Sequence, residues 1–279
     1  MRSDAWLPLI ATVISLEFTM ALWRRWRQSR RSYLRSWLIS FAFYTAGTAA
    51  LWYGAAFGWD SATFRVFYVC GAFLTTLWLA QGELELLIRP KVARIIGFFL
   101  TLTSAIVGFF ILAVPFVGDS VVAGSAMPHG KDLFPVPIRV AIMLANILGT
   151  VVVVGGTLWS GWQSRGRGAA AASRFRGTLL IAAGVSFAAA GGAVTYFGEE
   201  AGFALSLTIG IVLMYFGFVV ASRRPGAHRA AKRRRRDNER GTTVEPGRLL
   251  DRDVDIDADA SGQPAPATLA QSPAYAGRG

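Results

Sequence analysis

The chain has 279 residues, of which 53 % are apolar and only 16 % charged, and its mean hydropathy is +0.41. A soluble domain carries about 25 % charged residues, so this balance excludes an ordinary water-soluble fold and points to lipid as the main solvent. The single cysteine, Cys70, excludes an internal disulfide framework and a cysteine-built metal site, and two histidines, His129 and His228, argue against a bis-histidine haem or two-histidine metal centre.

A bilayer core of about 30 Å is crossed by about 20 apolar residues in a helix. Seven stretches meet that requirement, at 5–23, 36–58, 64–88, 95–118, 138–162, 178–198 and 202–221. The expected fold class is therefore all-α: a polytopic bundle of seven transmembrane helices over 1–222, with a tail over 223–279.

The first stretch carries Glu17, seven residues before Arg24 and so about 10 Å from that boundary along the helix. A carboxylate at that depth costs roughly 2.5–3.5 kcal/mol on insertion. Glu17 is expected to face the bundle as a ligand or proton site; the plainer alternatives are a structural hydrogen bond or snorkelling. The positive charges follow this helix, as Arg24-Arg25-Trp26-Arg27, which is the reverse of a cleavable signal peptide.

In the second stretch Ala42, Ala46, Ala50, Gly54 and Gly58 recur every four residues. Such a stripe lets helices approach closely inside a bundle, or forms the face of a homodimer. The third stretch closes on Glu83 and Glu85, which sit two apart and so point to different helix faces. Interfacial ion pairs with Arg89 or the arginines of the first connector are expected there, ahead of an acid–base pair. The connector after the fourth stretch holds Asp119, His129 and Asp132 among prolines, a solvated loop rather than a metal site. Asn146 in the fifth stretch lies near mid-membrane, and is expected to bond across to a neighbouring helix, with ligand contact as the alternative. Gly184, Ala188 and Gly192 in the sixth, and Gly202, Ser206 and Gly210 in the seventh, offer further close-packing seams. The seventh has no lysine; the three lysines are Lys91, Lys131 and Lys232, which excludes a retinal Schiff base in an opsin of the usual kind.

The basic residues fix the expected orientation. The first connector holds six, the third three, the fifth four and the tail twelve; only Arg2, Arg65, Lys131 and Arg139 fall on the opposite side. The N-terminus is thus expected outside and the C-terminus in the cytoplasm, in the inner or plasma membrane. Trp6, Trp23, Trp37, Trp59, Trp159 and Trp162 near the helix ends are expected to form an aromatic belt. Most of the net charge of +12 is this positive-inside bias, so no nucleic-acid partner is expected.

In the tail, Arg223, Arg224, Arg229, Lys232, Arg233, Arg234, Arg235 and Arg236 precede an alternating run of Asp251, Asp253, Asp255, Asp257 and Asp259. That composition cannot bury a core and is expected to be disordered, with the basic cluster on anionic lipid headgroups. The aspartate ladder lacks the glycine and glutamate of a calcium loop. No nucleophile elbow, zinc-protease helix, phosphate loop or dinucleotide fingerprint occurs, so neither enzyme activity nor a cofactor or metal is expected.

The segments Trp23-Arg-Arg-Trp-Arg-Gln-Ser-Arg-Arg and Leu77-Trp-Leu-Ala-Gln-Gly-Glu-Leu-Glu-Leu resemble the seven-helix N-terminal input region of bacterial sensor kinases and cyclases, over residues 5–221. The resemblance implies a sensory module with its N-terminus outside. No kinase or cyclase follows the seventh helix here, so it also implies a stand-alone sensor, or a subunit acting through a cytoplasmic signalling partner. The readings set beside it are a small proton-coupled carrier and a membrane scaffold.

Overall fold

The computed structural model describes residues 5–116, 127–128, 130–163, 169–194 and 200–222. Among the described residues the chain is helical, without a strand. Among these residues seven long helices run as α1 (Trp6–Ser29), α2 (Ser32–Phe57), α3 (Ser61–Leu87), α4 (Pro90–Ala113), α5 (Val136–Gln163), α6 (Ala169–Val194) and α7 (Glu200–Ser222), with a single turn at Gly130–Leu133. All except α2 are long and apolar enough to cross a membrane, making this a multi-pass membrane protein. Length is not what α2 lacks, since its 26 residues extend about 39 Å. It is diluted by serine, threonine and tyrosine, and a large part of it is enclosed by other helices, burying Leu34, Ser36, Ser40, Phe41, Tyr44, Gly47, Thr48, Ala50, Leu51 and Gly54. A helix shielded from lipid does not need a continuous apolar surface.

Helices outrun the apolar stretches that mark them. Arg24, Arg25 and Arg27 ride on the last turns of α1, and the connector to α2 shrinks to Arg30 and Arg31. Arginine is a good helix former, and backbone bonding continues past the hydrocarbon boundary. The chain reverses at Arg30, which takes the left-handed conformation at φ 52° and donates its N–H to the Trp26 carbonyl at 2.7 Å.

α1, α2, α3, α5, α6 and α7 follow one another round the bundle, and α7 returns to α1. α4 stands outside this round, against α3. Hydroxyl pairs join α1 to α2, with Ser15 at 3.4 Å from Thr48 and Thr19 at 3.2 Å from Thr45. Tyr44 donates to the Leu207 carbonyl of α7 at 2.9 Å, and Thr208 to the Leu7 carbonyl of α1 at 3.1 Å.

α3 is capped by Asp60, whose carboxylate accepts the Thr63 N–H at 2.7 Å; that bond holds the carboxyl below its ordinary pKa. Past its first turns α3 widens into a π-helical segment, Phe67–Leu74. Here α2 and α3 cross backbone to backbone, for a Cβ on Gly47 would lie 2.6 Å from the Gly71 Cα. Ser40 of α2 donates to the Thr75 carbonyl just beyond, at 2.7 Å. α6 and α7 make a second close seam, where a Cβ on Gly184 would meet the Gly210 carbonyl at 2.6 Å.

Two side-chain clusters fill the interior. One gathers Trp59, Phe64, Phe67, Phe73, Phe134 and Phe203 at the Asp60 end. The other links Phe18, Phe41, Tyr44, Val153, Ile211 and Met214. Trp59 therefore departs from the expected belt: it is 4 % exposed, lies over Gly54, and meets Phe64 and Phe67 edge to face. Trp6, Trp23, Trp159 and Trp162 are exposed. The small-residue stripe of α2 is only partly internal, with Ala50 and Gly54 buried but Ala42 exposed.

Candidate functional site

Polar side chains converge at the end of the bundle where α1, α3 and α5 finish, the end rich in arginine. Glu85 of α3 accepts a hydrogen bond from Ser36 Oγ of α2 at 3.0 Å and another from Gln81 Nε2 at 3.1 Å. The same Gln81 nitrogen donates to the Ala93 carbonyl of α4 at 2.9 Å, and its side chain lies across Gly97. The partners of Glu85 are thus a serine and a glutamine rather than the arginines expected at this boundary. Glu83 turns the other way, as two-residue spacing requires. It is 5 % exposed, lies over Gly156 of α5, and neighbours Thr157.

This region is under-satisfied. Glu85 Oε2, Gln81 Oε1, Trp37 Nε1 and Thr157 Oγ1 are buried and make no hydrogen bond. The Trp37 indole rests on Gly82, so donor and acceptors from α2, α3 and α5 surround the last turns of α3. Buried polar atoms in proteins are nearly always paired, and each orphan costs about 1–3 kcal/mol. Glu83 and Glu85 face different neighbours, so the arrangement is no paired-carboxylate centre for acid–base chemistry.

Asn146 makes the interhelical bond its depth implied. Its Nδ2 donates to the Ala72 carbonyl in the π-helical segment of α3 at 2.6 Å, and to Ile142 of its own helix at 3.1 Å. Glu17 does not face the bundle. It is exposed on the outer surface of α1, while Ser15 and Phe18 beside it are buried. The reason is register: the hydroxyls of Ser15 and Thr19 and the ring of Phe18 carry the face that packs on α2 and α7, and Glu17 falls on the opposite one.

One contributor escapes sequence reading. Arg65 of α3 reaches α4, donating to the carbonyls of Ile111 and, at 2.8 Å, Val114, and lying 4.1 Å from the centre of the Phe116 ring. It caps the C-terminus of α4 with a cation, where the helix dipole favours one. The partners are backbone carbonyls, which no residue pattern announces.

Arg223, Arg224, Arg229, Lys232 and Arg233 to Arg236 lie outside the described residues, as do Asp119, His129 and the aspartate ladder. Among the described residues no group of three His, Cys, Asp or Glu side chains could hold a metal ion. Comparison with protein-family models, curated proteins and solved structures found no match.

Proposed function

We propose that this chain is a seven-span protein of the cytoplasmic membrane, N-terminus outside and C-terminus inside, that works as a ligand-responsive sensory module. Its responsive site is the polar group around the last turns of α3. The observation that carries the reading is the burial of Glu83 beside a half-buried Glu85, where four buried polar atoms on three helices, Oε2 of Glu85 among them, make no hydrogen bond. Intramembrane carboxyls are expensive and tend to serve function. Open acceptors on Glu85 and Gln81, beside the Trp37 donor, fit a small cation, a proton or a hydrogen-bonding ammonium compound. Occupancy bears on the mutual packing of α2, α3 and α5, and through Gln81 on α4, so ligand affinity is coupled to helix arrangement. The basic cluster 223–236 sits on anionic headgroups at about 1 kcal/mol per residue, next to a cytoplasmic signalling partner that reads the change.

The test uses the full chain in vesicles. Hydrogen exchange at the arginine-rich ends of α2, α3 and α4 is followed while Na⁺, K⁺, Mg²⁺ and spermidine are added in turn. One of them should slow exchange, and Glu85→Gln should abolish the response without lowering thermal stability. Net movement of that cation across the vesicle wall would replace sensing with the carrier reading. Indifference to all four, and to protonation, would leave only a scaffold.

A further inference from the structure

The corner between α1 and α2 is a cluster of positive charge without a carboxylate of its own. Arg24, Arg25, Arg27, Arg30, Arg31 and Arg35 are all exposed, and no aspartate or glutamate occurs between Glu17 and Asp60. Glu85, which reaches α2 from α3, takes its hydrogen bonds from Ser36 and Gln81 rather than from an arginine. Three of the guanidinium groups are held against rings. Arg27 lies over Trp23 at 4.9 Å, Arg30 over Trp26 at 4.9 Å, and Arg25 over Phe218 of α7 at 5.2 Å. The first two pairs are each four residues apart, so both stacks share one stripe at the end of α1. Stacking fixes the plane of a guanidinium and leaves its N–H edge open to an acceptor in that plane.

Arg30 adds an independent sign. Among the described residues it is the one non-glycine residue with positive φ, at 52°, where a helix ending in this way ordinarily takes glycine. The turn needs only a backbone N–H on the Trp26 carbonyl, which glycine supplies equally well. The side chain at this position therefore serves something other than the turn.

We infer that the α1–α2 corner binds the phosphate of an anionic phospholipid, with Arg27 and Arg30 as its main donors and Arg24, Arg31 and Arg35 adding charge. Depth favours a lipid. Trp23 ends the apolar stretch of α1, and at about 1.5 Å per residue Arg27 stands about 6 Å and Arg30 about 10 Å beyond it. The headgroup layer beside the hydrocarbon is about 5–8 Å deep, so the stacks lie at the level of the lipid phosphates. A guanidinium donates to a phosphate through two parallel N–H groups, and two guanidiniums on one stripe suit a group with several acceptor oxygens. A choline headgroup fits poorly: its ammonium meets surplus positive charge, and Trp23 and Trp26 each already carry a guanidinium. The site is built from α1 and α2, without the tail residues 223–236.

The full chain in neutral detergent is given equal amounts of phosphatidylglycerol and phosphatidylcholine, and retained lipid is read by native mass spectrometry. Phosphatidylglycerol should be retained in preference by about tenfold. Arg27→Gln with Arg30→Gln should reduce that preference to about twofold or less. Arg89→Gln with Arg94→Gln removes equal charge from the start of α4 and should leave the preference within about twofold of the parent. Arg30→Lys keeps the charge without the fork, and should weaken retention by about threefold. Arg30→Gly separates binding from folding. Glycine suits positive φ, so the thermal midpoint of the lipid-free chain should not fall, while phosphatidylglycerol retention should. An equal loss from the Arg89 and Arg94 pair would make the corner one part of a diffuse positive collar and overturn the inference. Equal retention of both lipids would overturn it too. So would displacement of phosphatidylglycerol by millimolar inorganic phosphate, which would point to a soluble phosphate ligand instead.

Discussion

At the scale of single residues, the clearest energetic statement concerns Asp60. Its carboxylate caps α3 outside the membrane-spanning segment and is held below its ordinary pKa by the Thr63 N–H. A depressed pKa in the folded state means that the stabilisation is present at neutral pH and is lost as the pH falls through the carboxylate range. Asp60→Ala should therefore cost about 1 kcal/mol at neutral pH. Asp60→Asn, still a good cap, should cost less. Thermal unfolding in detergent should show the gap between Asp60→Ala and the parent beginning to close near the unperturbed aspartate value of about 3.9 and vanishing as the pH falls further, through the depressed folded pKa. A gap that persists in acid would mean that the cap does not act through its charge.

At the scale of elements, the α2–α3 crossing makes an asymmetric prediction. A methyl group on Gly47 would sit 2.6 Å from the Gly71 Cα and 2.7 Å from the Gly71 nitrogen, both backbone atoms that cannot swing aside. A methyl group on Gly71 would meet Gly47 at 3.5 Å and the Phe67 ring at 3.6 Å, which is ordinary contact. Gly47→Ala should destabilise the bundle by about 1–3 kcal/mol, the usual range for overpacking. Gly71→Ala should be near neutral. Equal effects in thermal unfolding would place the crossing elsewhere. The same crossing falls inside the π-helical segment, where Asn146 bonds to Ala72, and Ser40 bonds to Thr75 just beyond it, so three neighbouring contacts fix how α3 passes α2 and α5. By contrast α4 buries only Ala93, Gly108 and Ile111 and is pinned near its ends, by Gln81 and by Arg65.

At the scale of the whole molecule, the positive-inside reading can be tested directly. A reporter active only in the cytoplasm should give signal when fused after residues 30, 92, 170 and 240, and none after 60, 125 or 200. Signal at 125 would invert the topology, and signal at both 30 and 60 would remove α2 from the membrane. Deleting 237–279 should leave insertion and thermal stability unchanged, because the segment has too little apolar content to bury. Neutralising Arg233 to Arg236 should weaken binding of the isolated tail to anionic vesicles, and added salt should mimic that loss. Equal binding to neutral vesicles would exclude the headgroup contact.

Composition and hydropathy by themselves determined that the chain is helical and built for a bilayer, because apolar runs of span length leave the backbone no other way to satisfy its polar groups. Small residues in α6 and α7 likewise announced a close seam that the Gly184–Gly210 approach realises. Two-residue spacing determined that Glu83 and Glu85 diverge, since helix geometry allows nothing else. Which neighbours they meet was decided only by the packing of α2 and α5 against α3. The facing of Glu17 was likewise a tertiary matter: α1 carries hydroxyls on one side and a carboxyl on the other, and depth in the membrane does not say which side packs. The burial of Trp59 and the reach of Arg65 depended on how the chain turns between α2 and α3 and on free carbonyls at the end of α4. A hydropathy pattern records how much of a helix is apolar, whereas partners are chosen by rotation about the helix axis, and that rotation is set by the other helices.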